Sequence, residues 1–156
     1  MREKKFKIET LQLEDFDKCR NIWDMNSNLK QKSEFYNDLK NGNRITFICK
    51  NEKGDFVGEG SLVFNCEYRN FTIPNKRIYI SHLHVKPECR GQGIGTLLCN
   101  HIFDYCKKKG YSEISLAVLF SNYNAMRLYH RLGFTTILDL FEGDDGKNLG
   151  MLKKLV

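Results

Sequence analysis

Along the chain, apolar positions switch repeatedly between a period of two and a period of three to four, with turn residues at each switch. Residues 6–11 alternate as a first strand. Phe16, Cys19, Ile22 and Trp23 then mark the inner face of a first helix over residues 15–25, and residues 31–40 continue as a second. Arg44–Lys50 and residues 55–65 read as strands joined through Asn51-Glu52-Lys53-Gly54, a hairpin signal. Residues 66–76, with Pro74, read as a loop before a strand-like run over residues 78–87. Ile94, Leu97, Leu98, Ile102 and Tyr105 form the inner stripe of a third helix. Residues 113–118 alternate as a strand. Ala125, Leu128, Tyr129 and Leu132 share one face of a short helix that Asn122 caps and Gly133 ends. Residues 135–141 and 148–153 are closing strands around the turn at residues 142–146. No linker, repeat or low-complexity stretch interrupts this order. It predicts one α+β domain over residues 1–156 with a mixed sheet.

Composition narrows the class. At 156 residues and 41% hydrophobic, the chain can bury a single core. No apolar run approaches the ~20 residues of a membrane span, and the charged start Met1-Arg2-Glu3-Lys4-Lys5-Phe6 lacks the apolar stretch of a signal peptide. A soluble, cytoplasmic protein is expected. The six cysteines contain no Cys-x-x-Cys pair and several lie on helix or strand patterns, so neither a metal site nor a disulfide framework is indicated. The net charge of +6 raises the question of nucleic acid. The basic residues are spread rather than striped, however, and the run Lys107-Lys108-Lys109 closes a helix, where cations favour the dipole. A polyanionic small ligand accounts for the balance equally well.

The chemistry is most readable at Cys89-Arg90-Gly91-Gln92-Gly93-Ile94-Gly95-Thr96, a glycine-rich turn between a strand and a helix. Such a turn presents unpaired backbone N–H groups backed by the helix dipole, a ready seat for phosphate or pyrophosphate. Arg90 adds a charged donor. The turn lacks the lysine of a P-loop, and Gly91, Gly93 and Gly95 do not give the Gly-x-Gly-x-x-Gly spacing of a dinucleotide fingerprint. Without other support it could equally be a tight connection. A second segment, from Asn122 to Phe134, reads Asn-Tyr-Asn-Ala-Met-Arg-Leu-Tyr-His-Arg-Leu-Gly-Phe.

Together the two segments resemble the GNAT superfamily, the GCN5-related N-acetyltransferases. The Arg-x-x-Gly-x-Gly signature falls on Arg90, Gly93 and Gly95, after a Leu-x-Val-x-Pro strand end at Leu83, Val85 and Pro87. The Asn-x-x-Ala-x-x-Leu-Tyr-x-x-Leu-Gly-Phe signature runs from Asn122 to Phe134. The resemblance covers roughly residues 78–134. It implies a GNAT-like fold: a mixed, mostly antiparallel central sheet of 6–7 strands flanked by about four helices. It also implies acetyl-CoA as co-substrate and direct transfer of the acetyl group to a primary amine of a small molecule or peptide. Homodimers are common among such proteins.

By the same resemblance, the strand stretch Leu83-His84-Val85 pairs with the pantetheine arm. Arg90 and Gly91, with the amides of Gln92, Gly93, Ile94, Gly95 and Thr96, cradle the pyrophosphate, and Asn124 hydrogen-bonds the pantetheine. Tyr129 takes the place of the proton donor to the CoA thiolate; read from its helix alone, it is a core tyrosine. The general base is not at either usual place, because Ser81 and Ala117 stand where relatives carry glutamate. His82 is the candidate, since imidazole takes up protons near neutrality. Strict alternation sets His82 and His84 opposite Ser81, Leu83 and Val85, and a strand bulge would alter that facing. A water chain relayed by backbone, Ser81 or Tyr79 is the alternative. His101 and His130 read as helix-surface residues. Glu34, Asp38, Glu59 and Glu67 could attract a cationic acceptor, or be ordinary solvated carboxylates, which is the expectation for any one of them. Outside transfer chemistry, a non-catalytic CoA-binding module and a nucleic-acid binder remain as readings.

Overall fold

A computed structural model of the chain describes residues 5–68 and 70–155. Its strands are β1 (Lys7–Thr10), β2 (Arg44–Lys50), β3 (Phe56–Val63), β4 (Arg77–Val85), β5 (Glu113–Leu119), β6 (Thr136–Gly143) and β7 (Gly146–Lys154). They form one seven-stranded sheet in the order β1-β2-β3-β4-β5-β7-β6. The β1–β2, β5–β7 and β6–β7 pairs are antiparallel, and β4 and β5 run parallel through Arg77↔Glu113, Ile78↔Ile114 and Tyr79↔Ser115. The helices are α1 (Leu29–Lys40), α2 (Ile94–Lys108) and α3 (Tyr123–Arg131), with 3-10 segments at Leu13–Asn21 and Pro87–Cys89. This is the α+β, mixed and mostly antiparallel architecture expected. Arg69, within the expected loop at residues 66–76, lies outside the described residues.

Two corrections concern the helices. The first helix, expected over residues 15–25, is a 3-10 helix at Leu13–Asn21, with Asp15 N–H donating to the Gln12 carbonyl at 2.9 Å. Its buried residues Phe16 and Cys19 are three apart, the period at which 3-10 side chains eclipse, and buried Ile22 and Met25 follow at the same spacing beyond its end. On α2, Leu97 is not part of the inner stripe; it is 40% exposed. The buried arc runs through Ile94, Leu98, Cys99, Ile102, Phe103 and Cys106, and Leu97 lies on the far side of that arc. The expected alternation of β5 also gives way, since all seven of its residues, Glu113–Leu119, are buried or half-buried, on both faces.

Two compact units divide the chain. The first comprises Met1–Leu62 with His82–Ile102. Its core gathers Phe16, Cys19, Ile22, Phe35, Ile48 and Phe56, with Trp23 and Leu39 packed against it. Phe35, 1% exposed, meets the Phe16 ring at 5.4 Å and the Trp23 ring at 6.0 Å, and the Arg44 guanidinium lies 4.2 Å from its centroid. Within this unit β3 carries glycine at two positions facing α2. A Cβ on Gly58 would come 2.8 Å from Ile94, and one on Gly60 would come 2.9 Å from Ile102. Side chains there would push the helix away from the strand.

The second unit comprises Val63–Ser81 with Phe103–Val156. Fully buried Phe71, Ile78, Ile114 and Phe134 belong to its core, and the Phe103 and Phe134 rings meet at 5.9 Å. Arg77 Nε donates to Glu113 Oε1 at 3.2 Å, and both side chains are nearly buried. The Ser115 hydroxyl donates to the Phe71 carbonyl. No helix among the described residues is long and apolar enough to cross a membrane.

Deleting the Phe35 ring should leave a cavity that the neighbouring rings cannot collapse into. Phe35→Ala is expected to lower stability by about 3–5 kcal/mol in urea denaturation. A loss below about 1 kcal/mol would mean that the ring contributes little to this core.

Candidate active site

The glycine turn has the geometry the sequence implies. Gly91 and Gly93 adopt φ of 80° and 83°, the left-handed region that L side chains avoid. A Cβ at either would meet no atom within 4 Å, so it is backbone conformation and not crowding that calls for glycine. Gly95 lies inside α2. The first N–H used within the helix ladder is that of Leu97, donating to the Gly93 carbonyl at 3.0 Å. The amides of Ile94, Gly95 and Thr96 are therefore left outside the ladder at the positive end of a 15-residue helix. Ile94, 2% exposed, pins this terminus to the core. Arg90 is exposed, and its Nε donates to the Val85 carbonyl at 3.3 Å, tying the turn to the end of β4. Gln92 accepts from Lys5 at 2.9 Å.

On β4, His82 departs from the extended backbone of a strand, while its ring and that of His84 lie together. Its φ of 65° is left-handed, unusual for a residue with a side chain, and costs about 1–3 kcal/mol. The imidazole is 5% exposed, and its Nδ1 contacts Oε1 of Glu59, whose side chain is fully buried. A carboxylate only accepts, so in the neutral imidazole Nδ1 carries the proton and Nε2 is left as the acceptor. Glu59 is thus not a solvated carboxylate; Glu34 and Glu67 are exposed, and Asp38 lies 3.7 Å from Arg44. Burial, rather than the acid's own chemistry, makes Glu59 conspicuous. The signal in the sequence was a lone carboxylate inside the apolar run Phe56-Val57-Gly58-Glu59-Gly60-Ser61-Leu62-Val63.

Around this pair the surroundings are aromatic. Trp23 and Phe35 stand edge-on to His82 at 4.6 and 5.3 Å, and the His84 ring lies 4.1 Å away. Two buried polar atoms here, Glu59 Oε2 and Trp23 Nε1, have no hydrogen-bond partner among the described residues. Trp23 was read from sequence only as a core residue. His84 stays partly exposed, yet packing around the ring, followed by the charges of His82 and Arg90, pulls its pKa down to about 4. Burial, then the negative charge of Glu59, pushes the Cys19 thiol well up. Cys49, at about 11, and Cys99 and Cys106, at about 12, are raised mainly by burial. All six cysteines are free thiols, and no group of His, Cys, Asp and Glu among the described residues could hold a metal ion.

Asn124 and Tyr129 lie in the second unit, on α3. The Asn122 side chain caps this helix by accepting from the Ala125 N–H at 3.2 Å, and Gly133 ends it at φ 105°. Asn124 is exposed and accepts from Arg127 at 2.6 Å. Tyr129 is half-buried, edge-on to Phe134 at 5.9 Å. Ala117 lies on β5, His101 and His130 are exposed helix residues as expected, and His101 packs edge-on to Phe47 at 4.8 Å.

A family model described as Acetyltransferase (GNAT) family matches residues 7–134. A thialysine N-epsilon-acetyltransferase from Bos taurus is 44% identical over 77 residues, covering 49% of this chain and 43% of the relative. A streptothricin acetyltransferase from Streptomyces lavendulae is 30% identical over 89 residues, covering 57% of this chain and 43% of the relative. The chain thus spans less than half the length of these curated relatives. The ribosomal-protein-S18-alanine N-acetyltransferase from Escherichia coli superposes with a TM-score of 0.75 over 96% of this chain and 94% of that one. Its identity is 19%, so the likeness is one of fold.

The His84 environment has a direct check. Its folded pKa lies below the ordinary 6.5, so the stability it contributes is present above that value and is lost as pH falls through the folded pKa. Ring resonances followed by NMR should show His84 still neutral at about pH 5.5. Titration centred on the ordinary value would mean that the ring is solvated.

Proposed function

The chain belongs to the acetyltransferase (GNAT) family, and on that premise we propose that it transfers an acetyl group from acetyl-CoA to a primary amine of a small molecule or peptide. The observation that carries this reading is the turn at the α2 N-terminus. Left-handed Gly91 and Gly93 deliver free amides of Ile94, Gly95 and Thr96, with Arg90 beside them. That is what a pyrophosphate needs: several N–H donors, a favourable dipole and a nearby guanidinium. In the same reading Leu83, His84 and Val85 offer main chain to the pantetheine arm, and Asn124 its side chain.

Acetyl transfer requires a neutral amine. A lysine-like amine with a pKa of ~10.4 is neutral in only about one part in a thousand at pH 7. Something must accept its proton as the nitrogen attacks the thioester carbonyl. His82 takes that role in this proposal, with Glu59 as its positioning residue: the carboxylate fixes the Nδ1–H tautomer and leaves Nε2 to accept. Tetrahedral collapse then expels the CoA thiolate, which receives a proton from the Tyr129 hydroxyl by the family resemblance. Acetyl-CoA supplies the activated acyl group; the remaining work falls to the chain's own residues.

Calorimetric titration with acetyl-CoA tests the cofactor. We expect micromolar binding by the native protein and loss of at least about tenfold in affinity for Gly93→Val, since a β-branched residue cannot hold the turn's φ without strain. No binding by a folded native protein would overturn the reading.

Thiol release with a panel of amines tests the chemistry. Tyr129→Phe should lower kcat by about a hundredfold or more while acetyl-CoA affinity stays within about twofold. Glu59→Gln should lower kcat at least about tenfold and leave acetyl-CoA binding intact. Unchanged turnover in either variant would remove that residue from the mechanism.

A further inference from the structure

Two cations stand at the glycine turn, and only one of them belongs to it. Arg90 opens the turn, and its Nε donates to the Val85 carbonyl at 3.3 Å. The other, Lys5, comes from the segment before β1, 87 residues away along the chain from Gln92. Its Nζ donates to Gln92 Oε1 at 2.9 Å and lies 5.6 Å from the centroid of the Phe6 ring. Lys5, Phe6 and the whole turn belong to the first unit.

Neither contact neutralises the ammonium. Glutamine is uncharged, and Phe6 offers only the face of its ring. Among the described residues the carboxylates nearest in sequence are already taken. Glu88 lies 3.8 Å from Lys86, and Glu9 lies 2.6 Å from Lys50 and 3.6 Å from Lys7. Arg90 likewise ends on a neutral carbonyl.

Lys5 also fixes the Gln92 amide. An ammonium only donates, so the amide oxygen faces it and the Nε2 hydrogens face away. Gln92 stands between left-handed Gly91 and Gly93, just before the free amides of Ile94, Gly95 and Thr96. The turn thus gathers backbone N–H donors, a guanidinium and an ammonium, each charge resting on a neutral acceptor.

That set fits a pyrophosphate, which bears a negative charge on each phosphorus. One guanidinium and a helix dipole leave part of that charge unmatched, and a second cation matches it. We propose that Lys5 is a further cofactor-binding residue, whose ammonium exchanges the Gln92 oxygen for a pyrophosphate oxygen of acetyl-CoA. This rests on the acetyl-CoA reading above. A bond from an ammonium to an ionised oxygen is shorter and stronger than one to a neutral amide, so the exchange is favourable. The segment before β1 thereby becomes part of the cofactor site and favours a phosphorylated carrier over a bare pantetheine thioester.

The test is calorimetric titration of the full chain with CoA and with dephospho-CoA, which keeps the pyrophosphate and lacks the ribose 3′-phosphate. Lys5→Met should weaken CoA binding about five- to tenfold, and Lys5→Arg should stay within about threefold of the native protein. Against dephospho-CoA, Lys5→Met should lose the same factor. Lys7→Met removes an equal charge on β1, where the ammonium lies 3.6 Å from Glu9, and should change affinity less than about twofold. CoA binding that is unchanged in Lys5→Met overturns the proposal. So does an equal loss in Lys7→Met, which would make the effect one of diffuse charge. A loss confined to CoA overturns it too, because the ammonium would then sit on the 3′-phosphate. Failure of the acetyl-CoA reading looks different: the folded native protein would bind neither ligand, and this proposal would fall with it.

Discussion

Helix α2 can lie directly on β3 only because Gly58 and Gly60 carry no side chains. Methyl groups at those positions would fall within 3 Å of Ile94 and Ile102, the residues that seat the helix. Much follows from that close approach. Ile94 is the first residue of α2, so its burial fixes where the helix begins and where its unpaired amides lie. The turn before it must then reverse direction in few residues, and left-handed Gly91 and Gly93 accomplish this. Arg90 ties that turn back to the Val85 carbonyl. The free amides at the start of α2 are thus a by-product of how tightly one helix packs on one strand.

Between those two glycines stands Glu59, whose side chain strand alternation turns to the opposite face of β3, where it lies fully buried near Cys19 and His82. An isolated buried carboxylate is costly, so a partner is required, and His82 supplies it. His82 makes this contact from a left-handed backbone, with Leu83 and Val85 continuing the strand beyond it. Trp23 and Phe35 then close over the pair with apolar edges, which keeps its electrostatics strong.

Most of the fold was readable from periodicity, and β2 and α3 also carry turns or caps whose chemistry is local: Asn122 as a cap, Gly54 and Gly133 as turns. The 3-10 segment misled because Phe16, Cys19 and Ile22 fit a three-residue period as well as one face of an α-helix. Leu97 misled because a stripe read from apolar identity alone does not say where its centre lies. At the site, the glycine turn could be read since its conformation is written in residue type. Glu59 could not be given its place, because burial of a carboxylate depends on strands distant in sequence, and only its setting among glycines and apolar residues hinted at it. Lys5 reads in sequence as part of an ordinary charged start, and only the fold sets it beside Gln92.

The left-handed backbone of His82 has an evolutionary corollary. Glycine would adopt that conformation without strain, but deleting the imidazole would leave the buried Glu59 carboxylate without its partner, so backbone relief and loss of the pair oppose each other there. Glycine at residue 82 becomes a stabilising exchange only once an apolar residue has replaced Glu59. The two positions are therefore coupled, and a library screened for heat resistance would register that coupling as paired changes at residues 59 and 82.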